Sequence, residues 1–130
     1  MSSGYYSPSE GAFASASVMY FVDFILAYTL TIGIEIPLLY LVTRKQAEAS
    51  LILVTGVVMN ACTLPIVWFV LPLCLQGAAY VLTSEIFAVV VECFIIRYIL
   101  RVDLRTAFLG SFLANLGSFL FGLLIFGLPS

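Results

Sequence analysis

Four long apolar stretches, separated by short polar turns, are the feature that most constrains the fold of this chain. A helix needs about 20 predominantly apolar residues to cross a bilayer. The predicted spans are about 19–43, 50–71, 78–100 and 107–128. Because the connecting turns are short, consecutive spans should be antiparallel neighbours. The sequence therefore predicts an all-α integral membrane protein, in which an exposed N-terminal tail at 1–18 precedes a single four-transmembrane-helix bundle at 19–130.

The composition excludes several classes of protein. The chain is 63% hydrophobic and only 9% charged, with a mean hydropathy of +1.18, whereas soluble domains carry about 25% charged residues. No basic patch is interleaved with aromatic residues, which argues against nucleic acid as a partner. Histidine is absent and the three cysteines lack paired spacing, so the usual zinc and redox motifs are missing. We therefore expect no catalytic residue, no metal and no cofactor.

The five basic residues indicate an orientation. They occur in or beside just two turns, after the first and third spans, which lie on one side of the membrane. The positive-inside rule makes that side cytoplasmic and places both termini outside. We therefore expect a multi-pass protein of the cell membrane. The residues that carry this topology signal are Arg44, Lys45, Arg97, Arg101 and Arg105.

Each predicted span contains one strongly polar residue at a similar depth. Counting helical rise places Glu35, Asn60, Glu92 and Asn115 about 12–15 Å from the basic ends of their helices. They should form one polar layer, with Glu85 as a secondary acid two turns further out. Two carboxylates at one depth in a low dielectric cannot both be ionised cheaply, so we expect at least one to be protonated. The layer is either a structural clasp or a proton site.

A stripe of small and polar residues on the last span predicts a packing face. It includes Ser111, Ser118 and Gly122, which would let a neighbouring backbone approach closely. The first and third spans also share an acid about eight residues from a basic exit, at Glu35 and Glu92. No internal repeat is otherwise evident in the sequence.

Short motifs distribute acids, amides, hydroxyls and prolines over the four spans. They are Glu35-x-Pro37, Asn60-x2-Thr63-x-Pro65-x2-Trp68, Glu85-x6-Glu92 and Ser111-x3-Asn115-x2-Ser118. With these motifs the chain, over about residues 20–128, resembles small uncharacterised four-span membrane proteins of bacteria and archaea. The resemblance implies a four-span fold and brings no activity with it.

The sequence favours a non-catalytic accessory or assembly subunit of a larger integral membrane complex. It contains no nucleophile beside a base, no cofactor motif and no metal cluster. The alternative is a small proton- or cation-coupled transporter or ion pathway that uses the intramembrane carboxylates. An intramembrane enzyme is least favoured, since no second chemical group accompanies the acids. The expected partners are the lipid bilayer and other membrane subunits or a second copy of the chain.

Overall fold

The computed structural model of the chain describes residues 9–127, which form an all-helical bundle without any strand. Four segments are long and apolar enough to cross a membrane. The helices are α1 (Ser9–Thr43), α2 (Ala49–Pro65), α3 (Gly77–Leu100) and α4 (Leu104–Phe126). A π turn at Ile66–Val70 and a 3-10 turn at Leu71–Leu73 extend α2. The predicted fold class is confirmed at this level.

The helix bounds differ from the predicted spans mainly at the N-terminus. Helix α1 begins at Ser9, so that the second half of the predicted tail, up to residue 18, is helical. The stretch 9–17 contains three alanines, and alanine has the highest helix propensity of any residue. A prediction from apolar content alone therefore starts this helix too far along the chain, at about residue 19 instead of Ser9. Residues 1–8, the rest of the predicted tail, lie outside the described residues.

The helices form a ring in which each packs mainly against two neighbours. Both α1 and α3 contact α2 and α4. The short turns after α1 and after α3 lie at the same end, which we call the basic end. All five basic residues are exposed there: Arg44, Lys45, Arg97, Arg101 and Arg105.

An apolar core fills the half of the bundle next to the basic end. Its buried members come from all four helices and from the turn after α3. They are Leu39, Ile52, Met59, Cys93, Ile96, Leu100, Val102 and Ala107. These side chains make this half of the bundle predominantly apolar.

The turn between α3 and α4 contains a residue in the left-handed backbone region, Arg101, and a side-chain hydrogen bond between Thr106 and Asp103. Arg101 ends α3 at φ 56° and donates its backbone N–H to the carbonyl of Arg97. Asp103 precedes α4 and accepts a hydrogen bond from the Thr106 hydroxyl. That hydrogen bond lowers the pKa of Asp103, because it stabilises the ionised carboxylate.

Two tyrosines donate hydrogen bonds to backbone carbonyls near Pro72, at the end opposite the basic end. Proline has no N–H, so residue 72 donates neither to the Val67 carbonyl five residues earlier nor to the Trp68 carbonyl four residues earlier. The Tyr80 hydroxyl donates to the Val67 carbonyl at 2.9 Å. The Tyr20 hydroxyl donates to the Trp68 carbonyl. The π turn is therefore stabilised by side chains of two other helical segments.

Replacing Gly56 by alanine should destabilise the bundle by about 1–2 kcal/mol, because α1 approaches α2 closely there. A Cβ at this buried glycine would overlap Cγ1 of Ile36 and lie 3.1 Å from its Cδ1. Ile36 is β-branched and cannot easily rotate away. The free energy of unfolding of the purified protein in detergent measures the effect. Gly122→Ala is the matched control, since a Cβ there meets no atom within 4 Å; equal losses at both positions would contradict this account.

Candidate functional site

The structure brings the four polar layer residues together in the centre of the bundle. Each comes from a different helix and is almost completely buried. Their exposed fractions are 1% for Glu35, 1% for Asn60, 1% for Glu92 and 6% for Asn115. Burial of polar groups to this extent is costly unless each is hydrogen-bonded. The hydrogen-bond partners of these four side chains therefore determine what the site can do chemically.

Glu35 joins α1 to the two helices that flank it. The Asn60 side chain on α2 donates from Nδ2 to Oε2 of Glu35 at 2.9 Å. The Ser118 hydroxyl on α4 donates to Oε1 of the same carboxylate at 2.8 Å. Both oxygens of this acid therefore accept a hydrogen bond from a neutral donor.

Glu92 joins α3 to the same two helices in the same manner. The Asn115 side chain on α4 donates from Nδ2 to Oε2 of Glu92 at 2.5 Å. The Thr63 hydroxyl on α2 donates to Oε1 at 2.8 Å. One amide and one hydroxyl again satisfy the two carboxylate oxygens, and all four helices are thereby connected.

The two sets of hydrogen bonds repeat a single pattern. In each half of the chain an acid is followed, on the next helix, by an asparagine and then by a hydroxyl three residues later. Each asparagine binds the acid of its own half, and each hydroxyl binds the acid of the other half. No internal repeat is evident in the sequence beyond the acids of the first and third spans, but the hydrogen bonds of the polar layer do repeat between the two halves of the chain. The repeated motifs are Asn60-x2-Thr63 and Asn115-x2-Ser118.

Thr63 is the functional side chain that sequence reasoning left out of the layer. It lies one turn from Asn60 on the same face of α2 and is 1% exposed. Spacing of three along a helix places two side chains on one face, and this signal was available in the sequence. Ser118, which the sequence assigned to a packing face, proves to be the matching donor on α4.

Backbone hydrogen bonds hold the amide donors in position. Asn60 Nδ2 also donates to the Gly56 carbonyl, and Asn115 Nδ2 donates to the Ser111 carbonyl, each at 2.9 Å. Such bonds to the preceding helical turn fix the side-chain rotamer. Ser111 in turn donates its hydroxyl to the Val89 carbonyl on α3 at 2.7 Å. The carboxylates therefore meet donors whose orientation is already determined.

A cavity of about 160 Å³ adjoins the layer on the side away from the basic end. Three carboxyl groups line it, those of Glu35, Glu85 and Glu92. Asn60 also lines this cavity. Its Oδ1 atom is buried without a hydrogen-bond partner. A space of this size and polarity has room for several water molecules. Its other polar lining residues are Thr31, Thr63, Ser84, Asn115 and Ser118.

Glu85 differs from the two acids of the layer. It is half-buried, and no hydrogen-bond donor or cation among the described residues reaches its carboxylate. Within residues 9–127, no three acidic, cysteine or histidine side chains are grouped closely enough to hold a metal ion. The polar groups that line the site are carboxyl groups, amides and hydroxyls.

The resemblance of the chain to small four-span membrane proteins rests on its motifs alone. Comparison with known protein families, with characterised proteins and with solved structures gives no significant match. The role of the candidate site must therefore be inferred from its geometry.

Proposed function

We propose that the chain is a multi-pass protein of the cell membrane, with its basic end in the cytoplasm and both termini outside. Four apolar helices of sufficient length support insertion. Large apolar side chains are exposed along all of them, for example Leu53, Leu82 and Leu124 at 53%, 64% and 85%. Lipid is the solvent that such a surface requires. The location of all five Lys and Arg residues at one end supports the orientation.

Within that membrane, the proposed function is proton- or cation-coupled transport through the polar layer. The observation that carries this proposal is the cavity, which the three acidic residues Glu35, Glu85 and Glu92 line together. A purely structural clasp needs no such space. Acids that line an internal cavity of a membrane helix bundle are typical of proton relays and ion paths.

The surroundings of the acids suit reversible proton binding. Among the described residues no cation neutralises Glu35 or Glu92, and the partners of these acids are two amides and two hydroxyls. Amides only donate to these oxygens, whereas the hydroxyls of Thr63 and Ser118 can also accept. The cavity would supply protons from the extracytoplasmic side, while the apolar core closes the cytoplasmic side. A proton that crosses the membrane therefore requires the apolar core to open transiently.

Reconstitution into vesicles with a trapped pH-sensitive dye tests the proposal. Under an imposed membrane potential, the wild-type protein should acidify the vesicles faster than protein-free vesicles. The double variant Glu35→Gln/Glu92→Gln should return the rate to background. Glu48→Gln, which removes an exposed acid in the turn before α2, should leave it unchanged. A wild-type rate equal to that of protein-free vesicles would refute a proton-conducting role.

One observation favours a second function, the non-catalytic accessory or assembly subunit. Both oxygens of each layer acid are hydrogen-bonded, and these bonds tie all four helices together, which is also what a structural clasp requires. Native mass spectrometry after gentle solubilisation discriminates the two. Stoichiometric recovery with larger membrane subunits would support the accessory function, and recovery of the chain alone or as a homo-oligomer would support transport.

A further inference from the structure

A long apolar groove runs along the outer surface between α3 and α4. Its volume is about 820 Å³. The lining includes Leu82, Ile86 and Val90 on α3 and Phe108, Phe112 and Phe119 on α4. The lining extends from residue 78 to residue 90 on α3, which corresponds to about 18 Å of helix. The groove is therefore elongated along the helix axes, and large side chains such as Leu82 remain 64% exposed in it.

Glu85 lies where this groove meets the polar cavity. It lines both, as do Asn115 and Phe119. Nothing among the described residues donates a hydrogen bond to its carboxylate or pairs with its charge. An acid within a membrane span is costly and is normally paired. The acyl chain of a lipid could fill the groove, but it carries no group that could pair with Glu85.

We propose that this groove is the docking site for a transmembrane helix of another protein, and that this helix carries a basic side chain that pairs with Glu85. The elongated shape matches a helix, whose side-chain ridges can pack into the grooves on the surfaces of α3 and α4. The carboxylate supplies charge complementarity in a surface that is otherwise apolar. Glu85 lies eight residues after the start of α3 at Gly77, or about 12 Å along the helix. The basic residue of the partner helix lies at the same depth.

A synthetic helix tests this pairing in vesicles that contain the whole protein. The probe is a fluorescent peptide of about 20 leucines and alanines, with one lysine about eight residues from its outer end. Its matched control has leucine in place of the lysine. Energy transfer to a label at the basic end of the protein measures binding. The lysine peptide should bind at least about tenfold more tightly than the leucine peptide, as a charge-assisted hydrogen bond allows.

Variants separate the groove from other acidic surfaces. Glu85→Gln should abolish the preference for lysine, whereas Asp23→Asn, in a separate groove between α1 and α4, should preserve it. Leu82→Trp should weaken binding of both peptides by filling the groove, and Leu124→Trp, outside it, should not. Equal binding of the two peptides to the wild-type protein, or a lysine preference that survives Glu85→Gln, would overturn the proposal. The test requires no proton flux, so it is independent of the proposed transport function.

Discussion

Replacing either Glu35 or Glu92 alone by glutamine should reduce proton uptake into vesicles to the level of protein-free vesicles. Each acid lines the same cavity, and the two occupy equivalent places in the repeated hydrogen-bond pattern. An amide cannot take up a proton at neutral pH. If protons pass through the layer, the loss of either carboxyl group therefore interrupts the path, and the two single variants should behave alike.

The folded state of these variants should remain intact. In Glu92→Gln, the Thr63 hydroxyl can accept a hydrogen bond from the new amide, while Asn115 still donates to the amide oxygen. Ser118 can adapt in the same manner for Glu35→Gln. The expected cost is therefore about 1 kcal/mol, as for a single altered hydrogen bond. If both single variants take up protons at the wild-type rate, the polar layer is a structural clasp only. If only one variant loses proton uptake, the two halves are not functionally equivalent.

Replacing Asn115 by leucine should have the largest effect on stability, a loss of about 3 kcal/mol or more in the free energy of unfolding. Asn115 donates to Glu92 Oε2 in the buried centre. Leucine has a similar volume but no donor, so the carboxylate oxygen would be left buried and unsatisfied. Unfolding of the purified protein in detergent, followed by circular dichroism, measures the loss.

A compensating change at Glu92 tests the origin of this effect. If the cost arises from the unsatisfied carboxylate, the double variant Glu92→Leu/Asn115→Leu should be more stable than Asn115→Leu alone, because both polar partners are then removed. Asn60→Leu should repeat the effect at Glu35, through the loss of its 2.9 Å hydrogen bond. A double variant less stable than Asn115→Leu would assign the loss to packing instead.

Helical periodicity and depth were enough to anticipate much of the fold and the location of the site. Long apolar runs with short turns predict four antiparallel helices, and the structure has them. Counting from the basic turns placed Glu35, Asn60, Glu92 and Asn115 at one depth, and the structure brings these four side chains together. Depth alone predicts which side chains meet because the helices are nearly continuous and the turns from which depth is counted are short.

Pairing within the layer could not be obtained in this way. Depth does not say which amide binds which acid, since that depends on how the helices are ordered around the ring. The hydroxyls of Thr63 and Ser118 form the contacts between the two halves, yet serine and threonine are common in membrane helices as packing residues. The first and third spans show only the acids of the repeated pattern. The side chains that donate to these acids lie on the second and fourth spans.

The local chemistry of the backbone limited the prediction of helix ends. The second span is predicted to end at about residue 71, but α2 ends at Pro65 and gives way to a π turn at Ile66–Val70. The hydroxyls of Tyr20 and Tyr80 compensate the carbonyls released there. Such compensation comes from residues far away in the sequence and is not visible in the local pattern.

The exchange of hydroxyl donors between the two halves has a consequence for biogenesis. When the first helical hairpin, α1 and α2, has been synthesised, Asn60 can already bind Glu35, but the donor to the second carboxylate oxygen, Ser118, comes 83 residues later in the chain. Thr63 waits in the same way for Glu92. The hydrogen bonds of the first hairpin are therefore incomplete until the second hairpin has been made. A chain that stops short of Ser118 leaves one oxygen of Glu35 without its donor.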